Sequence, residues 1–361
     1  METNKKTFGD NFFIFHPVDK RGRVLPVIVL MLILILLSAI VNVFAQSKTG
    51  TTIGQFLKIE PSARAAAMGN AYSSISGEAS AVFFNPASLG RLQNNDVQFT
   101  HNNWIADIAY NYANASIYLS GIGTVALQVT SLNSGEIDVR TVEQPLGTGE
   151  RYSVSNFAIG AGYGLMLTDR VSVGVVINYF QEKIWHSSLD GFAMNFGVQY
   201  QVEENGLTLG ASVSNFGPRA SYDGRDLFID YDFDPKVYGD NDQLPAELRT
   251  EAYQLPTLFR AGISYPVNIG SSNKILLAVD AIHPNDNDEK VNVGAEWTFL
   301  ENFSIRGGYR DLFIIDSEGG LVLGAGINFS PIESYKLRVD YAWADYGRLN
   351  NVHRFSIGIG F

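Results

Sequence analysis

Residues 290–300, KVNVGAEWTFL, alternate between two kinds of side chain. One set is apolar and the other is polar or small: Val291, Val293, Ala295, Trp297 and Phe299 against Asn292, Gly294, Glu296 and Thr298. A period of two indicates a β-strand whose two faces meet different surroundings. This stretch therefore predicts a strand with one apolar and one polar face, without saying which face points inward.

The same period continues from Val97 to the last residue of the chain. It predicts fourteen strands, at 97–104, 108–119, 122–131, 152–167, 170–183, 190–202, 206–216, 256–266, 273–282, 290–300, 303–311, 320–329, 335–344 and 353–361. Most of them have about the length that a tilted strand needs to cross a bilayer. An even number of strands is typical of bacterial single-chain barrels.

The connections between these strands favour a membrane barrel over a soluble sandwich. Short turns are predicted around Gly121 and at 168–170, 203–205, 267–272, 300–302 and 330–334. Longer connections are predicted at 133–151, 184–189, 217–255, 283–289, 312–319 and 345–352. Short periplasmic turns alternate with longer extracellular loops in outer-membrane barrels. We therefore predict an all-β fold, a transmembrane antiparallel barrel of about 14 strands whose apolar faces meet outer-membrane lipid.

Composition agrees with such a wall. Of the 361 residues, 46% are hydrophobic and 17% are charged, and cysteine is absent. The absence of cysteine excludes disulfides, thiolate metal sites and a lipid-modified N-terminal cysteine. A net charge of −11 repels nucleic-acid phosphate, so no nucleic-acid partner is expected.

The N-terminal region has the pattern of a secretory signal. Basic residues (Lys20, Arg21 and Arg23) precede an apolar run at 24–41, and small residues lead to Ala45. We predict cleavage after Ala45, which divides the chain into a signal peptide at 1–45, an N-terminal plug or periplasmic cap at 46–96 and a barrel at 97–361. The alternative is an uncleaved membrane anchor, because the apolar run is nearly long enough to span. The predicted location is the outer membrane of a Gram-negative bacterium.

The last strand and the tryptophans add two further signs. An aromatic terminal residue closing an alternating strand resembles the assembly signal that the barrel assembly machinery recognises; its face carries Phe355, Ile357, Ile359 and Phe361. Four tryptophans fall near predicted strand ends, where amphipathic rings favour the membrane interface: Trp104, Trp185, Trp297 and Trp343.

A non-alternating stretch at 55–89 carries a family resemblance. It contains FLKI at 56–59, SARAAAMG at 62–69 and ASAVFFNPASL at 79–89. This series resembles the PorV/PorQ family of Bacteroidota-type outer-membrane proteins. Its NPA part is shared with FadL-like transporters, which are fourteen-stranded barrels with an N-terminal plug. The resemblance continues at 148–151, 182–185, 214–218 and 223–227, and so covers most of the mature chain.

The resemblance implies a role with the type IX secretion system. Such barrels accept cargo proteins that carry C-terminal sorting domains, or anchor the cell-surface attachment machinery. The alternative is a FadL-like channel for hydrophobic small molecules, and a third possibility is a structural barrel without transport.

Within the N-terminal stretch, one set of residues forms the expected plug motif: Arg64, Met68, Gly69, Asn85, Pro86 and Ala87. Small residues let backbone approach a barrel wall closely, and Pro86 ends a regular element. Asn85 is suited to an Asx turn. A plug in the lumen and a cap at the periplasmic mouth both fit this pattern.

The parity of the later strands turns several charged side chains toward the lumen: Arg260, Asp280, Glu296, Arg306, Arg310, Arg338 and Asp340. Opposite charges on neighbouring strands predict a ladder of ion pairs, since an unpaired desolvated charge is costly. The favoured interpretation is a network that stiffens the wall. The functional alternative is a selectivity lining, or a plug latch that includes Arg64.

The long connection 217–255 is predicted to be a solvated acidic extracellular loop and the place of partner recognition. Its candidate residues are Asp223, Arg225, Asp226, Asp230, Asp232 and Asp234. The spacing of the last three aspartates offers oxygen ligands for Ca²⁺, but the glycine and terminal glutamate of an EF-hand loop are missing.

Motifs of catalysis are absent from the sequence. There is no G-x-S-x-G or H-E-x-x-H pattern, and the histidines are scattered. We predict no catalytic residue, no metal and no cofactor, hence no enzyme. A lipase-like triad built across strands is the alternative.

Overall fold

The computed structural model describes residues 49–361 except 205, 235, 238, 240–242, 271, 315–316 and 333. The predicted signal peptide at 1–45, its cleavage after Ala45 and the alternative membrane anchor lie outside the described residues.

Fourteen antiparallel strands close into a barrel. They are β1 (Asp96–Asn103), β2 (Ala109–Leu119), β3 (Gly123–Asn133), β4 (Val154–Met166), β5 (Val171–Ile184), β6 (Ser187–Gln201), β7 (Thr208–Phe216), β8 (Leu258–Ile269), β9 (Asn273–Pro284), β10 (Lys290–Phe299), β11 (Phe303–Leu312), β12 (Leu321–Ile332), β13 (Tyr335–Asp345) and β14 (Asn351–Gly360). Each strand pairs with its neighbours in the sequence, and β1 pairs with β14 to close the ring. The predicted fourteen-stranded antiparallel barrel is confirmed.

The apolar faces of the strands point away from the barrel interior. In β10, Trp297 is 48% exposed whereas Glu296, its neighbour in sequence, is 5% exposed. The last strand follows the same rule, with Phe355 and Ile357 exposed and Ser356 buried. An outward apolar belt around a polar interior reverses the order of a soluble protein and suits a wall surrounded by lipid.

Connections of different length collect at opposite ends of the barrel. Turns at 120–122, 167–170, 202–207, 270–272, 300–302 and 333–334 lie at one end. At the other end are 104–108, 134–153, 185–186, 217–257, 285–289, 313–320 and 346–350.

One predicted connection is wrong. The longer connection at 184–189 is instead a tight turn at Trp185 and His186, because β5 runs to Ile184 and β6 begins at Ser187. Trp185 has a φ of 52°, which closes the turn. The two strands pair to their last residues, Ile184 opposite Ser187. These residues lack the apolar–polar alternation, so the sequence pattern did not show that the ladder continues.

The two longest connections carry short elements of their own. Within 217–257, Phe228–Tyr231 pairs with Leu244–Glu247 after a 3₁₀ turn at Arg225–Leu227. Within 134–153, Ile137–Asp138 pairs with Arg151–Tyr152.

The N-terminal segment, residues 52–92, lies inside the barrel. It contains 3₁₀ turns at Gln55–Lys58, Ala79–Phe83 and Pro86–Arg91, and one short helix, α1 (Ala63–Ala67). Helix α1 packs on β12 and β13, and the last 3₁₀ turn packs on β4 and β5. No helix in the described part of the chain is long and apolar enough to span a membrane.

Inward-facing glycines of the wall let the N-terminal segment approach so closely. A Cβ on Gly308 would lie 2.5 Å from the backbone nitrogen of Gly69 and 2.7 Å from the carbonyl carbon of Met68. A Cβ on Gly174 would likewise meet the carbonyl group of Pro86. The close approach depends on small residues on both sides of the contact, the alanines of the segment and the glycines of the wall.

Two adjacent glycines of β11 test this close approach. We expect Gly308→Ala to destabilise the barrel with its seated segment by about 1–3 kcal/mol, because an added methyl group overpacks the contact. Gly307→Ala is the matched control, since a Cβ there would meet only Leu323 Cδ2 at 3.6 Å and Val322 O at 4.0 Å. Thermal unfolding in detergent and protease cleavage of the segment measure the difference. Equal behaviour of the two variants would contradict the direct contact.

Candidate functional site

A chain of ion pairs joins the N-terminal segment to three wall strands. Arg64 of α1 donates two parallel hydrogen bonds to Glu296, from Nε at 2.7 Å and from Nη2 at 2.6 Å. Glu296 also accepts from Arg306 Nε at 2.5 Å, and Arg306 Nη1 donates to Asp340 Oδ1 at 2.6 Å. The bidentate contact fixes both the position and the orientation of Arg64. Four of the predicted site residues are therefore brought together.

A second buried carboxylate organises the segment itself. Glu78 Oε2 lies 3.3 Å from Arg64 Nη1, and its Oε1 accepts from the hydroxyls of Tyr72 at 2.8 Å and Ser80 at 2.7 Å. Sequence reasoning missed Glu78, although a carboxylate in an otherwise small and apolar stretch is a visible signal. Because Arg64, Tyr72 and Ser80 lie in different parts of the segment, their contacts with Glu78 hold the segment in its folded shape.

The remaining lumen charges do not form the predicted ladder. Asp280 faces the segment and accepts from the backbone N–H groups of Tyr72 at 3.0 Å and Ser73 at 2.9 Å. Arg260 donates to Ser214 Oγ at 2.9 Å instead of pairing with Asp280. Arg338 pairs with Asp96 at 2.6 Å. Parity predicts the direction of these side chains, but their partners depend on what fills the lumen.

The NPA residues, Asn85 to Ala87, hold the C-terminal part of the segment against the wall. Asn85 Oδ1 accepts from Ala87 N at 3.0 Å, which is the predicted Asx turn. Its Nδ2 donates to the carbonyl oxygens of Ser73 at 2.7 Å and of Val198, in the wall, at 3.0 Å. Pro86 occupies the first position of the following 3₁₀ turn.

Two further residues of the motif, Met68 and Gly69, also lie in the segment, and one wall residue that sequence reasoning missed contacts it. Gly69 has a φ of 66°, and Met68 is buried in the same apolar cluster as Tyr72. The missed residue is Gln199, which donates to Ser73 O at 3.1 Å and Ile75 O at 3.2 Å. Its place on the polar face of β6 was visible in the sequence, but its partner was not.

A cavity of about 770 Å³ lies between the segment and the end of the barrel that carries the long connections. Its lining combines apolar groups such as Phe56 and Ile59 with charged groups such as Glu60 and Arg310. Trp104 also lines it, with its ring centroid 5.1 Å from that of Tyr346. The predicted interface position of Trp104 is therefore wrong, because its ring packs inward instead of meeting lipid. We call this space the vestibule.

The start of the segment is tied to the rim of the vestibule. Lys58 Nζ lies 2.9 Å from Asp286 Oδ2, which also accepts from Thr52 Oγ1 at 2.6 Å and Gln55 Nε2 at 2.7 Å. Burial raises the pKa of Asp286, but these donors outweigh it and hold the pKa below its usual value. Asp286 therefore stays charged and keeps its contact with Lys58 at neutral pH.

Among its described residues, the acidic outer loop does not bring several carboxylates together. His186 Nδ1 lies 2.9 Å from Asp226 Oδ2, and Arg225 Nη2 lies 3.1 Å from the same nitrogen. Asp230 is exposed in the short strand Phe228–Tyr231, and Asp232 accepts from the backbone of Asp234 at 3.0 Å. In the described part of the chain, no three histidine or acidic side chains are grouped to hold a metal ion. The calcium alternative therefore has no geometric support.

The latch formed by Arg64 can be tested by replacing it. We expect Arg64→Met to lower the urea concentration at which a protease cuts the segment, because loss of a buried ion-pair partner costs about 3–5 kcal/mol. Arg151→Met is the control, since Arg151 pairs with Glu136 at 2.6 Å on an exposed connection and should leave the threshold unchanged. An identical threshold for both variants would show that Arg64 does not hold the segment.

Comparisons with known proteins bear on the fold. No protein-family model matches the chain, and no curated protein matches it in sequence. The solved structure of the Pseudomonas putida toluene transporter TodX matches over 82% of this chain and 95% of its own, with 11% identity and a TM-score of 0.52. The Ralstonia pickettii toluene transporter TbuX matches over 84% of this chain and 98% of its own, with 11% identity and a TM-score of 0.50.

A Pseudomonas aeruginosa FadL homologue also matches, over 82% of this chain and 96% of its own, with 11% identity and a TM-score of 0.46. None of these matches tests the resemblance to the PorV/PorQ family, which stays a prediction. At such low identity the first two matches show the fold alone: the chain has the barrel fold of outer-membrane hydrocarbon transporters.

Proposed function

We propose that the chain is an outer-membrane channel for a small molecule with an apolar part, and that the N-terminal segment is its plug. The observation that carries this proposal is the vestibule, which faces the long connections and ends on a segment seated in the lumen. Binding sites of small molecules are concave, largely apolar and set with a few polar groups. The toluene transporters that share the fold favour transport over catalysis and over a purely structural role.

The seating of the plug supports a gating role. Wall glycines such as Gly174 and Gly308 contact the backbone of the segment directly, which leaves no space for a solute between them. A route between the segment and the wall at these contacts therefore requires the segment to move. Its polar contacts, through Arg64 and Asn85, are specific bonds that can break and re-form as a unit.

A change at Asn85 tests the plug. Asn85→Asp places a carboxylate against the carbonyl oxygens of Ser73, Val198 and Ala211, which an amide donor now contacts. We expect this variant to raise ion conductance in planar bilayers and uptake of labelled toluene by cells. Asn94→Asp, at an exposed position, is the matched control and should match the unmodified chain. Unchanged conductance and uptake in a correctly assembled Asn85→Asp barrel would refute the plug.

A second candidate function, partner capture in type IX secretion, has an observation of its own. The loop 217–257 displays large apolar side chains to solvent, with Phe233 77% exposed and Phe228 also exposed. Exposed aromatic groups on a loop are typical of protein recognition. Together with the sequence resemblance, they favour a surface that binds a protein partner such as a cargo protein with a C-terminal sorting domain.

Partner capture predicts a specific change in the cell. Trimming residues 220–250, or the milder double change Phe228→Ser and Phe233→Ser, should leave the barrel assembled. Proteins with C-terminal sorting domains should then leave the surface and collect in the periplasm, as measured by proteomics of both fractions. Phe313→Ser is the control, since Phe313 is 84% exposed on a different connection. An unchanged surface proteome, even in a strain that lacks the whole chain, would exclude the secretion role.

A further inference from the structure

Two buried guanidinium groups meet on one phenol beside the vestibule. Arg310 Nη1 donates to Tyr346 Oη at 2.6 Å, and Arg354 Nη2 donates to the same oxygen at 3.3 Å. Arg310 is 5% exposed and Arg354 is 0% exposed. Two positive charges are thus held close together on a single hydroxyl group.

Neither of these arginines forms a direct ion pair with a carboxylate of the described residues, and Glu60 and Asp311 attract Arg310 only from beyond 4 Å. Among the described residues, no carboxylate oxygen lies within 4 Å of the guanidinium nitrogens of Arg310 or Arg354. Elsewhere in the lumen the arrangement is different, since Arg306 and Arg338 each contact a carboxylate at 2.5–2.6 Å. A buried charge without an ion pair is unfavourable, and two such charges on one phenol also repel each other. The pair therefore has the electrostatic character of a site that an anion completes.

The unused hydrogen-bonding groups at this place are mostly donors. Nε of Arg310, and Nε and Nη1 of Arg354, are buried without an acceptor. The amide of Asn102, which lies opposite Arg354 across β1 and β14, is also buried with both polar atoms unpaired. Buried polar groups are almost always satisfied in folded proteins, so these donors are available to acceptor oxygens of water or of a ligand.

An aromatic ring also lies close to each of the two guanidinium groups, beside the N–H groups that have no acceptor. The Cζ atom of Arg310 lies 4.1 Å from the ring centroid of Tyr346, and that of Arg354 lies 5.3 Å from the ring centroid of Trp104. Because hydrogen bonds are donated from the edge of a guanidinium plane, such contacts with a ring leave the N–H groups available. Arg310, Tyr346 and Trp104 all line the vestibule, which connects this cluster to the space for a ligand.

We propose that Arg310, Arg354 and Asn102 form a binding site for an oxyanion, a carboxylate or phosphate group carried by a molecule in the vestibule. The inference rests on the proposed channel function, because it adds an anionic group to the small molecule that enters. Such a ligand differs from neutral toluene, which the two transporters that share the fold carry.

Titration calorimetry on the full chain in detergent tests this site. The probes are inorganic phosphate and, separately, benzoate, which combines a carboxylate with an apolar ring; sodium chloride at equal ionic strength gives the baseline. We expect saturable binding that Arg310→Gln and Arg354→Gln each weaken at least about 10-fold, because each removes charged hydrogen bonds. Arg348→Gln removes the same charge from an exposed position at the same end of the barrel and should bind normally.

Asn102→Leu supplies a second, independent test. Loss of an unpaired buried amide should raise the melting temperature of the empty barrel while the affinity for the anion falls. A residue with a merely structural role would not separate these two quantities. Should Arg354→Gln fail to assemble, Arg310→Gln and Asn102→Leu decide the test.

The outcomes are distinct. Saturation by phosphate, by benzoate or by both supports the site and identifies the source of the oxyanion. No saturable heat with either probe, or an equal loss of binding in Arg348→Gln, overturns the proposal. Binding with unchanged conductance in Asn85→Asp would refute only the plug, whereas the absence of binding in a channel that still opens would refute only the oxyanion site.

Discussion

The pairing of β1 with β14 is the contact on which the rest of the structure depends. In hydrocarbon, every backbone N–H and C=O group must find a partner inside the protein, so an open sheet edge cannot be left. The two strands run in register from Asp96 opposite Gly360 to Asn103 opposite His353. Asn95 and Phe361 continue the ladder with two backbone bonds of 2.9 and 3.0 Å. Closure therefore joins the last residue of the chain to the exit of the N-terminal segment.

A closed ring of this size creates a second constraint, because wall side chains alone do not fill its interior. The N-terminal segment occupies part of that space. Its backbone packs against wall glycines, and Arg64 and Asn85 hydrogen-bond to the wall. Hydrogen bonds and ion pairs hold the segment in a different way from an apolar core. Its hydrogen bonds have a specific geometry, and they leave polar side chains rather than an apolar core at the contact between the segment and the wall.

The wall could be predicted from the sequence because lipid on one side and lumen on the other impose a period of two on every strand. Parity also gave the direction of Glu296, Arg306 and Asp340. It did not give the partners of Arg260 and Asp280, since these depend on the position of Ser73 and Ser214, which no local pattern encodes.

The rest of the site illustrates the same limit. The turn at Trp185 was missed because strand pairing above the membrane needs no apolar face. Arg354 shares the parity of Ser356 and Gly358, so its inward direction was available from the sequence. Its partner was not, because no local pattern places the hydroxyl of Tyr346 beside it.

The arginines of the lumen separate into two groups with different chemistry. Arg64, Arg306 and Arg338 each contact a carboxylate, and they lie where the segment meets the wall. Arg260, Arg310 and Arg354 have no carboxylate within 4 Å in the described part of the chain, and they bond only to hydroxyl groups among the described residues. The first two of them line the vestibule, and the third shares Tyr346 with Arg310. Arginines with an ion pair therefore lie where the N-terminal segment meets the wall, and arginines without one lie at or next to the vestibule. The same residue type fixes the segment in the first place and leaves N–H groups available beside the cavity in the second.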